Sequence, residues 1–140
     1  MSTIRFVEYR DEQATIHHIR HQVFTLEQGV DSALDFDGLD SDALQVLAYH
    51  ENLPAGTGRM LHDGRIGRIA VLSDHRGTGL GRQIIEAFVD RARQEGFNRV
   101  FLGAQVTAVP FYEKLGFSQY GEDYMDAGIL HTPMAQDLEE

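Results

Sequence analysis

Runs of apolar residues bounded by turn-forming residues set the frame of this chain. Ile4 to Tyr9, Leu44 to His50, Ala55 to Leu61 and Arg65 to Leu72 read as strands. The last three are separated only by Glu51-Asn52-Leu53-Pro54 and His62-Asp63-Gly64, which predicts an antiparallel meander. Between the first strand and the meander, Ile16, Ile19 and Val23 recur at helical spacing, with Asp11 as the expected N-cap and an end near Phe24. Leu80, Ile84, Ile85, Ala87, Phe88 and Ala92 form a broad apolar face on a helix from Gly79 to Glu95, and Gly96 can close it in the left-handed conformation. A strand at Val100 to Gly103, a short helix opened by Pro110 and closed by Gly116, and strands at Ser118 to Tyr124 and Ile129 to Leu138 complete the pattern. The order predicts an α/β fold, with a mixed, mostly antiparallel sheet carrying helices on both faces.

Composition narrows the function classes. No repeat, low-complexity tract or linker divides the sequence, and 140 residues at 42% apolar content suit one domain over residues 1–140. Cysteine is absent, which excludes disulfides, thiolate metal sites and an acyl-cysteine intermediate. The N-terminal residues Met1-Ser2-Thr3-Ile4-Arg5 form no apolar leader, and no run approaches the length of a membrane span, so a soluble, cytoplasmic protein is expected. A net charge of −10 repels phosphate polymers and argues against nucleic-acid binding.

The segment with most chemistry is Ile69 to Arg82. An apolar strand passes through Ser73-Asp74-His75 into Arg76-Gly77-Thr78-Gly79-Leu80-Gly81-Arg82 and then a helix. Strand, glycine-rich loop and helix N-terminus together present backbone N–H groups and a partial positive charge to an anion, and Arg76 and Arg82 can add charged donors. The loop is not a Walker sequence, which would end Gly-Lys-Ser/Thr where this one ends Leu80-Gly81-Arg82. Nor is it a dinucleotide fingerprint, because a count begun at Gly77 meets Arg82 where the third glycine should stand.

What remains, Arg-x-x-Gly-x-Gly at Arg76, Gly79 and Gly81, resembles the pyrophosphate signature of the GNAT superfamily of N-acetyltransferases. A second block, Ala108-Val109-Pro110-Phe111-Tyr112-Glu113-Lys114-Leu115-Gly116-Phe117, is similar to that family's Ala-x-x-Phe-Tyr-x-x-x-Gly-Phe segment and follows at the expected distance. The ElaA-like branch is resembled in Arg20-x-x-Val23-Phe24-x-x-Glu27-Gln28, in Asp63 to Val71 and in Asp126 to His131, so the similarity spans nearly the whole chain. It implies a GNAT-like fold and acetyl-CoA as co-substrate, with transfer to a primary amine of a small molecule or peptide in a ternary complex. It also implies a fourth strand splayed from the fifth, so that the backbone of Ile69, Ala70 and Val71 pairs with the pantetheine arm. Arg76, Gly77, Thr78, Gly79, Leu80, Gly81 and Arg82 would hold the pyrophosphate, and Phe111 would pack near the arm. Gln105 stands where the family often has an asparagine that touches pantetheine, and its longer amide can still reach.

Acyl transfer to an amine needs a stabilised oxyanion, a proton for the departing thiolate and a base for the amine. Tyr112 falls on the family's acid and keeps its proton well above neutral pH; the alternative is a core tyrosine. The base is open between His131, the carboxylates Glu27, Glu122 and Asp123, and a water chain, with His131 preferred because imidazole is the side chain suited to proton transfer near neutral pH. Arg59, Arg65, Arg68, Arg76 and Arg82 suggest a locally basic mouth for the cofactor. Asp31, Asp35, Asp37, Asp40 and Asp42 contain no basic residue among them; they read first as a solvated loop, and alternatively as an attractant for a cationic amine. His17 and His21 lie one turn apart without a third ligand, so they read as exposed helix positions and no metal is expected. A CoA-binding module that has lost turnover is the competing function, and a sheet-edge homodimer is compatible with the resemblance.

Overall fold

A computed structural model describes residues 1–138, so the last two residues of the expected 1–140 unit lie outside the described residues. Strand β1 (Ser2–Val7) leads into helix α1 (Tyr9–Arg20), a π-helical continuation (His21–Glu27) and a short α2 (Ser32–Asp35). The meander is β2 (Leu44–His50), β3 (Leu53–Met60) and β4 (Ile66–Val71). Helix α3 (Leu80–Gln94), β5 (Arg99–Gln105), α4 (Val109–Lys114), β6 (Ser118–Gln119), β7 (Tyr124–Asp126) and β8 (Ile129–Asp137) follow. No helix among the described residues is long and apolar enough to cross a membrane.

Two antiparallel sheets are formed, β1-β2-β3-β4 and β5-β8-β6 with β7 also on β8. They meet at one parallel bridge between Arg65 and Phe101, where the Phe101 N–H donates to the Gly64 carbonyl at 3.1 Å. Past that bridge β4 and β5 separate. The edge of β4 that faces β5 is therefore left without a ladder, and a split opens between the sheets.

Side-chain alternation sorts the core onto both faces. Val46 and Ala48 of β2 join Leu80, Ile84, Ile85 and Phe88 of α3 on one side, whereas Leu47 joins Ile16, Ile19 and Val23 on the other. The close seat of α3 depends on Gly58, where a Cβ would stand 2.6 Å from Ile69 Cδ1 and 2.9 Å from Ile84 Cγ2.

Most element boundaries shift by a residue or two, and the larger departures lie in the first strand and helix and after α4. Strand β1 stops at Val7, and Glu8, not Asp11, occupies the N-cap, leaving Asp11 in the first turn where its charge still favours the positive helix end. The first helix runs past Phe24 because nothing before Gly29 (φ +73°) can stop it; it widens instead, with the Gln28 N–H bonded to the Val23 carbonyl at 3.2 Å. The strand expected over Ser118 to Tyr124 breaks at Gly121 into β6 and β7. Ala127 and Gly128, both at positive φ, then turn β7 directly into β8.

Candidate active site

A cleft of about 870 Å³ occupies the split and extends from the glycine-rich loop to the acidic segment. At the loop end, Gly79 is the N-cap of α3 at φ +87° and offers no side-chain cap, so the first-turn N–H groups of the helix have no partner from it. No heavy atom lies within 4 Å of where a Cβ would stand on Gly77 or Gly79. The result is an open, positively polarised cradle.

Every cofactor candidate named from the sequence lines this cleft except Thr78, whose hydroxyl turns back to donate to the His75 carbonyl. The arginines are less free than their number suggested. Arg76 donates from Nη1 and Nη2 to the Glu27 carboxylate at 2.7 Å each, and from Nε to the Val71 carbonyl at 3.0 Å. Its guanidinium therefore ties the loop to β4 and to the end of the π-helical segment. The hydrogen bonds raise the Arg76 pKa and lower that of Glu27, so Glu27 is an ion-pair partner and not an open base. Arg82 makes a loose 3.4 Å pair with Glu86 and stays exposed.

Midway along the cleft, Gln105 Nε2 donates to Gln28 Oε1 at 3.0 Å, which joins β5 to the residue after the π-helical segment. Tyr112 enters from α4, packed edge-on against Phe111 and Phe117 at centroid distances of 5.0 and 5.9 Å. Burial pushes its hydroxyl up to about 12. His131 stands across from Gln105 in the β5–β8 register and stacks on Tyr124 at 5.7 Å. Its Nδ1 lies 2.7 Å from the Ile129 carbonyl, an acceptor only, so Nδ1 carries a hydrogen and, in the neutral ring, the lone pair is on Nε2. Tyr112 packs with the α3 face, and His131 shares the opposite face with Gly103 and Gln105. Both belong to the β5 half of the split and approach the cleft from opposite faces of that half. Glu122 and Asp123 do not line it; Asp123 accepts from Thr132 Oγ1 at 2.8 Å.

The acidic segment departs most from expectation. Asp35 and Asp40 are buried, and with the partly exposed Asp37 they engage three arginines instead of forming a solvated loop. Arg20 Nε reaches Asp35 at 2.9 and 3.1 Å and its Nη1 reaches Asp40 at 2.8 Å, Arg59 bonds Asp37 and Asp40, and Arg68 meets Asp35 and Asp37. The Arg59 hydrogen bond holds the Asp37 carboxyl far below its usual range. Burial opposes the charge of Asp40, and Arg20 and Arg59 overcome that opposition. These carboxylates have no open charge to attract a cation, and Arg59 and Arg68 have none to spare for a phosphate. Only Asp31 and Asp42 of the segment fit the solvated reading.

His17 is likewise not a free surface residue. Its Nε2 lies 2.6 Å from the Tyr9 hydroxyl, its ring stacks on Phe36 at 4.4 Å, and burial followed by the Arg20 charge lowers its pKa. Among the described residues no group of three or more His, Asp or Glu could hold a metal. Sequence reasoning named Arg20 and Gln28 only within the branch resemblance, without a role, and did not single out Tyr124. For Arg20 a signal existed: a charged residue placed among Ile16, Ile19 and Val23 on the buried helix face requires buried carboxylates.

The family described as the acetyltransferase (GNAT) domain matches residues 7–138. The chain is a member of the GNAT acetyltransferase family. A Bacillus subtilis (strain 168) protein, provisionally named an acetyltransferase, is 38% identical over 128 residues, covering 87% of each chain. Among solved structures, an acyl-CoA N-acyltransferase from Pseudomonas aeruginosa superposes with a TM-score of 0.82 at 27% identity, covering 97% of this chain and 99% of that one. Escherichia coli ElaA superposes with a TM-score of 0.85 at 25% identity, over 98% and 100% of the respective chains.

A GNAT fold implies an acyl-CoA co-substrate, and the residues present fit one. The uncapped α3 N-terminus suits a pyrophosphate, the unladdered edge of β4 suits the amides of a pantetheine arm, and the open space over Gly77 and Gly79 admits both.

Proposed function

We propose that this GNAT member transfers an acetyl group from acetyl-CoA to a primary amine of a small molecule or peptide, by direct attack in a ternary complex, with residues 1–140 acting as one unit. The observation that carries the reading is the juxtaposition in one cleft of an uncapped helix N-terminus, an unladdered strand edge, and two uncommitted proton-transfer groups, the Tyr112 hydroxyl and His131 Nε2. Acetyl-CoA, when bound, supplies the thioester carbonyl that the amine attacks and the thiolate that leaves.

The residues of the chain do the rest. Gly77, Gly79, Leu80, Gly81 and Arg82 bind the pyrophosphate through backbone N–H groups and the helix dipole, while Arg76, anchored to Glu27, fixes the loop. Backbone groups of Ile69, Ala70 and Val71 orient the arm, Gln105 borders it from β5, and Phe111 excludes water beside it. Tyr112, holding its proton up to about 12, donates to the leaving sulfur. His131 accepts the amine proton at Nε2, its tautomer set by the Ile129 carbonyl. The paired state of Asp35 and Asp37 places no cationic requirement on the acceptor.

Tyr112→Phe tests the assignment. The expected result is a loss of about a hundredfold in kcat with acetyl-CoA affinity unchanged. Equal rates would remove the acid role.

A further inference from the structure

Between the pairs Arg59–Gly67 and Thr57–Ala70, β4 carries one residue more than β3. This is a bulge, and its left-handed residue is Arg68, at φ +52°. Any side chain with a Cβ disfavours that conformation, so something else must hold it. The guanidinium of Arg68 faces two carboxylates: Nε is 3.1 Å from Asp35 Oδ1, an ion pair without hydrogen-bond alignment, and Nη2 donates to Asp37 Oδ2 at 3.3 Å. The same Nη2 donates to the Asp35 carbonyl at 3.3 Å. Asp35 is fixed independently by Arg20, and Asp37 by Arg59, so both carboxylates are anchored from other elements.

Resting on the reading of the cleft as a donor site, we propose that Asp35 and Asp37 are positioning residues for its donor half, acting through the backbone of Arg68. Ile69, Ala70 and Val71 come directly after the bulged residue. A slip of one residue reverses which way every following side chain and peptide group points. With the bulge in place, Ile69 and Val71 pack on the α3 core and Ala70 on the α1 core, and the β4 backbone faces the split. The acidic segment thereby sets the geometry of the donor groove through the backbone of Arg68.

The test is CoA binding by calorimetry to the full chain carrying Arg68→Ala, Arg68→Gly or Asp37→Asn. Asp37 is the better carboxylate to change, because Asp35→Asn would leave the buried Arg20 short of a partner. Arg68→Ala loses the ion pairs and keeps the strain, and is expected to weaken CoA binding by about tenfold, with Asp37→Asn weakened in the same direction. Arg68→Gly loses the same ion pairs but adopts positive φ freely, so it should recover most of the affinity. A purely structural role for the side chain would leave the glycine variant no better than alanine, which would overturn the proposal. Unchanged binding in all three would overturn it too. Failure of the unmodified chain to bind CoA would instead refute the donor reading on which the proposal rests.

Discussion

At the scale of single residues, the decisive feature is a charge where the pattern calls for a hydrophobe. Arg20 occupies the inner face of α1 with its side chain wholly buried, and it is satisfied only because Asp35 and Asp40 converge on it. Such networks contribute little net stability against an apolar replacement, but removing one partner strands the others. Arg20→Ala is therefore expected to cost about 3–5 kcal/mol, measured by urea denaturation; a cost near zero would mean that Asp35 and Asp40 are satisfied without it. His17, beside the network, carries a second prediction. Its folded pKa lies below the ordinary 6.5, so the unfolded chain takes up the proton first and stability declines as pH falls from about 7 toward 5. His17→Gln should flatten the slope of stability against pH in that window, which a series of denaturation curves would show.

At the scale of elements, the geometry of the loop into α3 distinguishes its two motif glycines. Gly79 sits at φ +87° and is strained by any side chain, whereas a Cβ on Gly81 would meet Phe111 and Val71 at 3.6 and 3.9 Å, ordinary contact distances. Gly79→Ala should weaken CoA binding about tenfold while Gly81→Ala stays near the original, as read by a titration of each. This loop was legible in the sequence because its donors come from consecutive residues, and α3 was legible because six apolar positions repeat at one period. The end of the first helix was not: Thr25, Leu26 and Glu27 carry no stop signal, and the π-helical widening that brings Glu27 to Arg76 and Gln28 to Gln105 leaves no mark in the pattern.

For the whole molecule, two antiparallel sheets joined by one parallel bridge leave a split wide enough to serve as a cleft, lined by a tyrosine and a histidine that both come from the β5 half. The alternation of strands and helices foretold the sheets. The ion network was hidden because Arg20, Asp35, Asp37, Asp40, Arg59 and Arg68 belong to four separate segments that meet only once the fold is built, so a run of aspartates resembled a solvated loop. The network also sets the acid limb of stability. Asp37 and Asp40 have folded pKa values below the ordinary 3.8, so their contribution is complete above that value and disappears as pH falls through the folded values.

The central claim is that the cleft transfers an acetyl group from acetyl-CoA to an amine. The most direct measurement is release of CoA thiol from acetyl-CoA across a panel of polyamines, amino acids, aminoglycosides, arylamines and lysine peptides, a readout kept clean by the absence of cysteine from the chain. The account predicts amine-dependent thiol release with at least one acceptor class, reduced about a hundredfold by Tyr112→Phe. Binding of acetyl-CoA without thiol release across the whole panel would contradict it.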